Sequence, residues 1–306
     1  MRMKKGILFL SMIAWLWVGM ACSSDEEVLT PIEEPSEPVK YLNMNVKDSL
    51  ALAISLRSFL LESIDLNKLI DSEEEYIGLD EIRYRQYIYQ GIIINTFWDT
   101  EENAYRLWRI AIDKPELLPT GYSLPAALGN FERLTRLEIQ GDERASGGIP
   151  KEIFNCPLTR LYIRGKGFTG AIPKEIANVA ETLVELEITG TSLSALPEEI
   201  GELINVIAPN LSYNEFRGTP PLSLRNFQSS AWCYDNYFDN IDWQMFTEFP
   251  KPGTDPVIRS IPLFHNNCFS GVIPEEVLAS EMWSYFKLCL ERQREGYGFS
   301  NWPEEE

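Results

Sequence analysis

Two interleaved repeats of one length constrain this chain more than any other feature. The first is the pattern L-x-x-L-x-L, with Ile or Val allowed, beginning at Leu107 (with Ile110, Ile112), Leu134 (Leu137, Ile139), Leu158 (Leu161, Ile163) and Leu183 (Leu186, Ile188). These starts are 27, 24 and 25 residues apart, and weaker copies begin at Val206 (Pro209, Leu211) and Ile258 (Ile261, Leu263). The second series is an apolar residue, a proline and a further apolar residue. It runs through Leu124-Pro125 with Leu128, Ile149-Pro150 with Ile153, Ile172-Pro173 with Ile176, Leu196-Pro197 with Ile200, Pro220-Pro221 with Leu224 and Ile273-Pro274 with Val277. Its prolines lie 25, 23, 24, 24 and 53 residues apart. Strand alternation has a period of about 2 and an amphipathic helix one of about 3.6, so neither alone produces this longer beat. Each copy therefore supplies a short strand, with its L-x-L side chains on one side, and a return segment opened by the proline. No copy can bury its apolar face alone; the neighbouring copy must cover it.

A period of about 20–29 residues with this consensus resembles the leucine-rich repeat. Phe168-Thr169-Gly170-Ala171-Ile172-Pro173 and Phe269-Ser270-Gly271-Val272-Ile273-Pro274 resemble the L-x-G-x-I-P half of its plant-type subclass, which also occurs in gut Bacteroidetes surface proteins. The resemblance covers residues 107–280 and implies an α/β solenoid, a horseshoe with short parallel strands on its concave face. The family's asparagine ladder is matched at Asn214 and at Asn266 or Asn267, while Asp142, Lys166 and Thr191 take its place earlier. The 53-residue gap holds a degraded copy over about 226–257, carried by Ala231, Cys233, Asn236 and Phe238, with Pro250–Pro256 as its insertion.

A solenoid needs its end copies covered. Residues 41–106 form the N-terminal capping region. There Asp48 is a competent N-cap ahead of Leu52, Leu56, Phe59, Leu60 and Ile64 at helical spacing over 48–70. This is similar to the helical cap of plant-type repeat proteins, whose D-x-x-A-L opening and two tryptophans would correspond to Asp48–Leu52, Trp98 and Trp108. The Ile- and Tyr-rich stretch Tyr84–Phe97 reads as strand. After the last Ile-Pro, Glu275–Glu291 reads as one helix with Trp283, Phe286 and Leu290 on one face, leading into a helical C-terminal cap over 281–306.

The first 40 residues read as an address and a tether. A basic M-R-M-K-K precedes an uncharged apolar run over 6–21, shorter than the ~20 residues a membrane span needs and suited to a cleaved signal. Gly19-Met20-Ala21-Cys22 resembles the lipobox of bacterial lipoproteins, in which the cysteine is lipidated. Ser23-Ser24-Asp25-Glu26-Glu27 is similar to the acidic patch that follows it in surface-exported Bacteroidetes lipoproteins. Residues 22–40, with Pro31, Pro35 and Pro38, cannot pack and form an extended acidic spacer. The resemblance implies an outer-membrane protein, exposed at the cell surface and held to the membrane only through the lipid on Cys22.

Charge and composition narrow the function. A formal net charge of -19 gives no electrostatic route to a phosphate backbone, which excludes nucleic acid as an expected partner. The single histidine, His265, removes most triad, general-base and zinc arrangements. Cys156, Cys233, Cys268 and Cys289 show no C-x-x-C spacing, so no metal site is expected. Two disulfides and four packed thiols both remain open. The pairs Glu198-Glu199 and Glu275-Glu276 follow the proline turns and read as solvated first-turn residues. With no phosphate loop and no G-x-S-x-G, neither enzyme activity nor a cofactor is expected.

Binding is expected at the x positions of L-x-x-L-x-L. One column holds Arg109, Arg136, Arg160 and Glu185; the adjoining one holds Glu138, Tyr162, Glu187, Asn210 and Trp232. A row of guanidinium groups suits a carboxylate-bearing protein partner; the alternative is that Glu138, Glu185 and Glu187 neutralise it as a surface network worth little. Tyr162, Trp232 and Phe264 suit a glycan, the alternative ligand. The chain is expected to act as a monomer.

The anchoring reading has a direct consequence. Replacing Cys22 by Ala should move the protein from the membrane fraction to the soluble fraction of producing cells. Unchanged membrane association of the variant would exclude lipidation at Cys22.

Overall fold

The computed structural model describes Asp48, Leu52, residues 72–247 apart from 79, 81 and 90, and residues 261–303. The signal segment, Cys22, the tether, most of the 48–70 helix, the Pro250–Pro256 insertion and Ile258 lie outside the described residues.

Cap and repeat residues together build one seven-stranded sheet. Its strands are β1 (Glu74–Ile77), β2 (Arg83–Tyr89), β3 (Ile92–Asp99), β4 (Ala104–Ile112), β5 (Arg136–Gln140), β6 (Arg160–Arg164) and, after the short β7 (Thr169–Ala171), β8 (Glu185–Thr189). The order is β1-β2-β3-β4-β5-β6-β8. From β4 onward all pairing is parallel, one strand per copy, with Leu137 beside Leu161 and Leu186, and Ile139 beside Ile163 and Ile188. These side chains are buried on one side, as the L-x-L pattern requires. The sheet direction continues through single bridges joining Glu187 to Asn210, Asn210 to Trp232 and Trp232 to Leu263. Each proline turn opens a short 3-10 segment, such as Lys151–Asn155, Lys174–Val179 and Glu198–Glu202. Proline fits there because its fixed φ and missing N–H match the start of a helical turn. The glycine-bearing halves form parallel pairs on the outgoing side: β7 with β9 (Ser192–Ala195), β10 (Arg217–Gly218) with β11 (Tyr237–Phe238), and β12 (Ser270–Gly271) with β13 (Gly298–Phe299).

Asp48 and Leu52, the described residues of the expected 48–70 helix, are helical. The rest of the described N-terminal cap is an antiparallel meander, β1 to β4, whose β2 and β3 take in the expected strand Tyr84–Phe97; β4 is both the last hairpin strand and the first repeat strand. Asp48 is already helical rather than an N-cap, and its Oδ2 accepts from Arg106 Nε at 3.0 Å and from the Leu107 N–H at 2.9 Å. Both side chains are buried, and Arg106 also meets Glu102 and Glu132. Such a buried pair pins the cap to β4, because losing either partner strands a charge away from water.

Three further expectations change. The last copy is slipped by one residue: Leu263, not Pro262, aligns with Trp232, so Pro262 and Phe264 face the core. A one-residue slip exchanges the faces of every side chain in a strand, and it buries the Phe264 ring offered above as a sugar platform. The expected helix Glu275–Glu291 is broken into Glu275–Leu278 and Trp283–Leu290, where Ser280 Oγ accepts from the Met282 N–H and ends the run. Residues after Leu290 then form one more copy rather than a helical cap, for Phe264 N–H donates to the Cys289 carbonyl and β13 pairs with β12.

Asparagine side chains join the copies. Asn214 Nδ2 donates to the carbonyls of Ile188 and Leu211, Asn236 Nδ2 to those of Leu211 and Cys233, and Asn267 Nδ2 to those of Cys233 and Phe264. Gln293 continues the series, donating to Phe264 and Leu290 and accepting from the Phe269 N–H. Asn267, not Asn266, is thus the ladder residue. Cys156, Cys233, Cys268 and Cys289 are buried free thiols. Burial pushes the thiols of Cys156 and Cys289 up to about 12, so they act as small apolar groups in the core.

Replacing Asn236 by Ala removes a shared donor from the carbonyls of Leu211, Cys233 and Tyr234 and leaves the buried Phe216 N–H without its side-chain acceptor. It should destabilise the fold by about 2–4 kcal/mol in denaturant titrations. The exposed Asn226→Ala change should cost under about 0.5 kcal/mol; equal costs would remove the ladder's structural role.

Candidate functional site

The exposed face of the sheet collects the binding residues expected from the sequence, because parallel in-register pairing aligns equivalent positions. Arg109, Arg136, Arg160 and Glu185 are successive partners in one column. Glu138, Tyr162, Glu187, Asn210 and Trp232 are successive partners in the next, which ends at Leu263.

The arginine row is largely spoken for by neighbours on the same face. Glu138 accepts from Arg109 at 2.5 Å and from Arg160 at 3.5 Å, standing between them. Arg109 also donates to Asn95 Oδ1 at 3.0 Å. Arg160 donates to Glu185 at 2.6 Å and lies over the Tyr162 ring, whose hydroxyl donates to Glu185. Arg164 and Thr189 both donate to Glu187. Arg136 alone in the row has no carboxylate within ion-pair distance among the described residues; it sits over the Trp108 ring at 5.2 Å. The hydrogen bonds from Arg160 and Tyr162 hold the Glu185 carboxyl below its ordinary value. Burial, then the Glu185 contact, pushes the Tyr162 phenol up to about 12.

Beyond β8 the face changes character. Trp232 is 42% exposed and Tyr213 57%, with Tyr234 and His265 beside them. The Tyr213 and Tyr234 rings meet edge to face at 5.4 Å, Trp232 lies 6.3 Å from Tyr234, and His265 stacks on Tyr234 at 4.5 Å. Burial lowers the His265 pKa below its ordinary value, so the imidazole is neutral at pH 7. Between the two zones lies a groove of ≈ 660 Å³ whose lining includes Asp142, Lys166, Glu187, Thr189, Asn210 and Tyr213.

Of this aromatic group, sequence reasoning found Trp232 and missed Tyr213 and Tyr234. The signal was present in the ladder: aligning Leu211-x-x-Asn214, Cys233-x-x-Asn236 and Phe264-x-x-Asn267 puts Tyr234 and His265 in one column. Trp243 lies elsewhere, half-buried against Phe246 and Phe299. Glu198-Glu199 and Glu275-Glu276 occupy first turns after their prolines, as expected.

The Glu185 shift has a fixed sign. A carboxyl held below its ordinary value adds stability above that value, and the gain is lost as pH falls through the lowered one. A Glu185→Gln variant should therefore melt below the parent at pH 7, and the gap should close between about pH 5 and pH 3. A gap independent of pH would show that the charge network contributes nothing.

No protein-family model and no curated protein sequence matches the chain. Among solved structures it is similar to PEPR1–AtPEP1, at 19% identity and a TM-score of 0.53 over 75% of this chain and 29% of that one. It is also similar to the Arabidopsis receptor kinase HAESA in complex with the peptide hormone IDA and the co-receptor SERK1 (28% identity, TM-score 0.39, 52% of this chain, 30% of that). A third is the LRR ectodomain of the receptor kinase SOBIR1 from Arabidopsis thaliana (17% identity, TM-score 0.41, 61% of this chain, 90% of that). The chain spans less than a third of the length of the first two. The PEPR1–AtPEP1 likeness agrees in fold with the parallel sheet of one strand per copy, and both fit a leucine-rich-repeat solenoid.

Proposed function

We propose that the chain is a non-catalytic binding protein of the Bacteroidetes surface-lipoprotein kind. It is tethered at the outer membrane through Cys22 and recognises a protein partner on the exposed, concave face of its horseshoe. The observation that supports this most is the continuity of that face. From β4 to Leu263 it presents side chains in aligned columns, spaced about 4.8 Å apart from strand to strand. Stacked strands of repeat proteins make extended surfaces of this kind for partners. The face is mixed in chemistry, with paired charges, one arginine on an indole and exposed aromatics, and interfaces favour arginine, tyrosine and tryptophan. A second reading, glycan capture, rests on the exposed Trp232 and its neighbours. It no longer draws on Phe264, which is buried, or on Tyr162, whose ring lies under Arg160 and whose hydroxyl is bonded to Glu185.

Photo-crosslinking on intact cells tests this. A benzophenone side chain placed at Arg136 or Glu187 should give discrete protein adducts. The same group at Asn178, exposed on a return segment, should give none. Adducts from Asn178 alone would move the site off the sheet face.

A further inference from the structure

We infer that the aromatic zone formed by Tyr213, Trp232 and Tyr234 is a platform for a cationic peptide segment, one that lays Lys or Arg side chains on the exposed rings. This rests on the proposed role of the sheet face and assigns its partner chemistry.

The first observation is backbone strain. The position after the strand and before the ladder residue has positive φ in copy after copy: Gly165 (φ 126), Gly190 (φ 64), Tyr213 (φ 59), Asp235 (φ 56), Asn266 (φ 56) and Arg292 (φ 56). Glycine takes such a conformation without cost, and Asn and Asp tolerate it; a bulky aromatic does not. Tyr213 is more than half exposed, so little burial offsets that cost. A strained, exposed aromatic is a sign of a selected contact surface.

The second observation is exposed ring surface outside the charge-paired part of the face. The charged part of the face is occupied by Glu138, Glu185 and Glu187 with their arginines. The rings Trp232 and Tyr213 keep free surface toward solvent, and His265 stacks on Tyr234.

Charge selects the occupant. The carboxylate of this zone is Asp235, which accepts from Asn266 and faces Tyr213 closely enough to oppose ionisation of its phenol. The nearest basic side chain, Arg292 beside His265, is paired with Glu291, and the whole chain carries -19. Such a field draws in cations, and the negative faces of indole and phenol rings hold ammonium and guanidinium groups once they arrive. A carboxylate-rich partner meets repulsion at the same place.

Calorimetric titration of the full-length chain tests the inference with three probes: an amidated (Lys-Gly)3 peptide, (Glu-Gly)3 and the neutral sugar cellohexaose. Only the lysine peptide should bind, and the Kd should rise about tenfold in Trp232→Leu. Tyr213→Gly should also raise the Kd several-fold while keeping Tm at or above that of the parent, because it relieves the strained backbone. Neither substitution changes net charge, so general attraction to an acidic protein is unaffected. Equal lysine-peptide affinity in parent and variants, or binding of cellohexaose instead, would overturn the inference. So would a Tyr213→Gly variant that melts well below the parent, since Tyr213 would then serve packing. If Glu187 crosslinks persist when the lysine peptide fails, the sheet face remains the site and only its partner chemistry is wrong.

Discussion

A single copy of this repeat leaves its inward leucines and isoleucines, and the carbonyls of its turn, without partners; the next copy supplies both. Leu137, Leu161 and Leu186 cover one another across β5, β6 and β8. Deleting a buried side chain of this size costs about 2–5 kcal/mol. Where the strands shorten to single bridges, the amides of Asn214, Asn236, Asn267 and Gln293 take over part of the task by reaching carbonyls in two copies at once. At the N-terminal end, the buried Arg106–Asp48 pair ties the cap to the first repeat strand. Every copy is therefore stabilised mainly by its neighbours, as expected for a quasi-one-dimensional fold.

The same register that buries the leucines sets the exposed columns, so the face is a by-product of the core. What the face carries is not uniform. Around β4 to β8 the charges answer one another, and such half-exposed pairs add little to stability individually. From Asn210 to His265 the face turns aromatic, and it does so at the cost of a tyrosine in a backbone conformation that glycine occupies at Gly190.

Much of this was legible in the residues. The twin series of L-x-x-L-x-L and apolar-Pro located the strands of Leu134, Leu158 and Leu183 and the turns at Pro150, Pro173 and Pro197, because burial and φ restriction leave few other residues at those places. Asn214 and Asn236 were readable for the same reason. Other features depended on contacts far apart in the chain. Asp48 reads as a helix cap until Arg106, 58 residues away, is seen to hold its carboxylate. The register of Leu263 was ambiguous because Ile261, Pro262 and Leu263 are all apolar, so composition could not choose between adjacent frames. The final copy was hidden because Gln293 stands in the asparagine position and a helix, Trp283–Leu290, replaces the usual return. The counterions of the arginine row, Glu138 above all, were visible as residues but not as partners of particular arginines.

One continuous ladder runs from the regular copies through the degraded one to Gln293. Native-state hydrogen exchange at single amides tests it most directly. The N–H groups of Ile188, Leu211, Cys233 and Phe264 donate to Asn210, Trp232, Leu263 and Cys289 in turn. Their opening free energies should agree within about 1–2 kcal/mol, since each copy opens with its neighbours. Protection at Ile188 with free exchange at Cys233 and Phe264 would contradict the account.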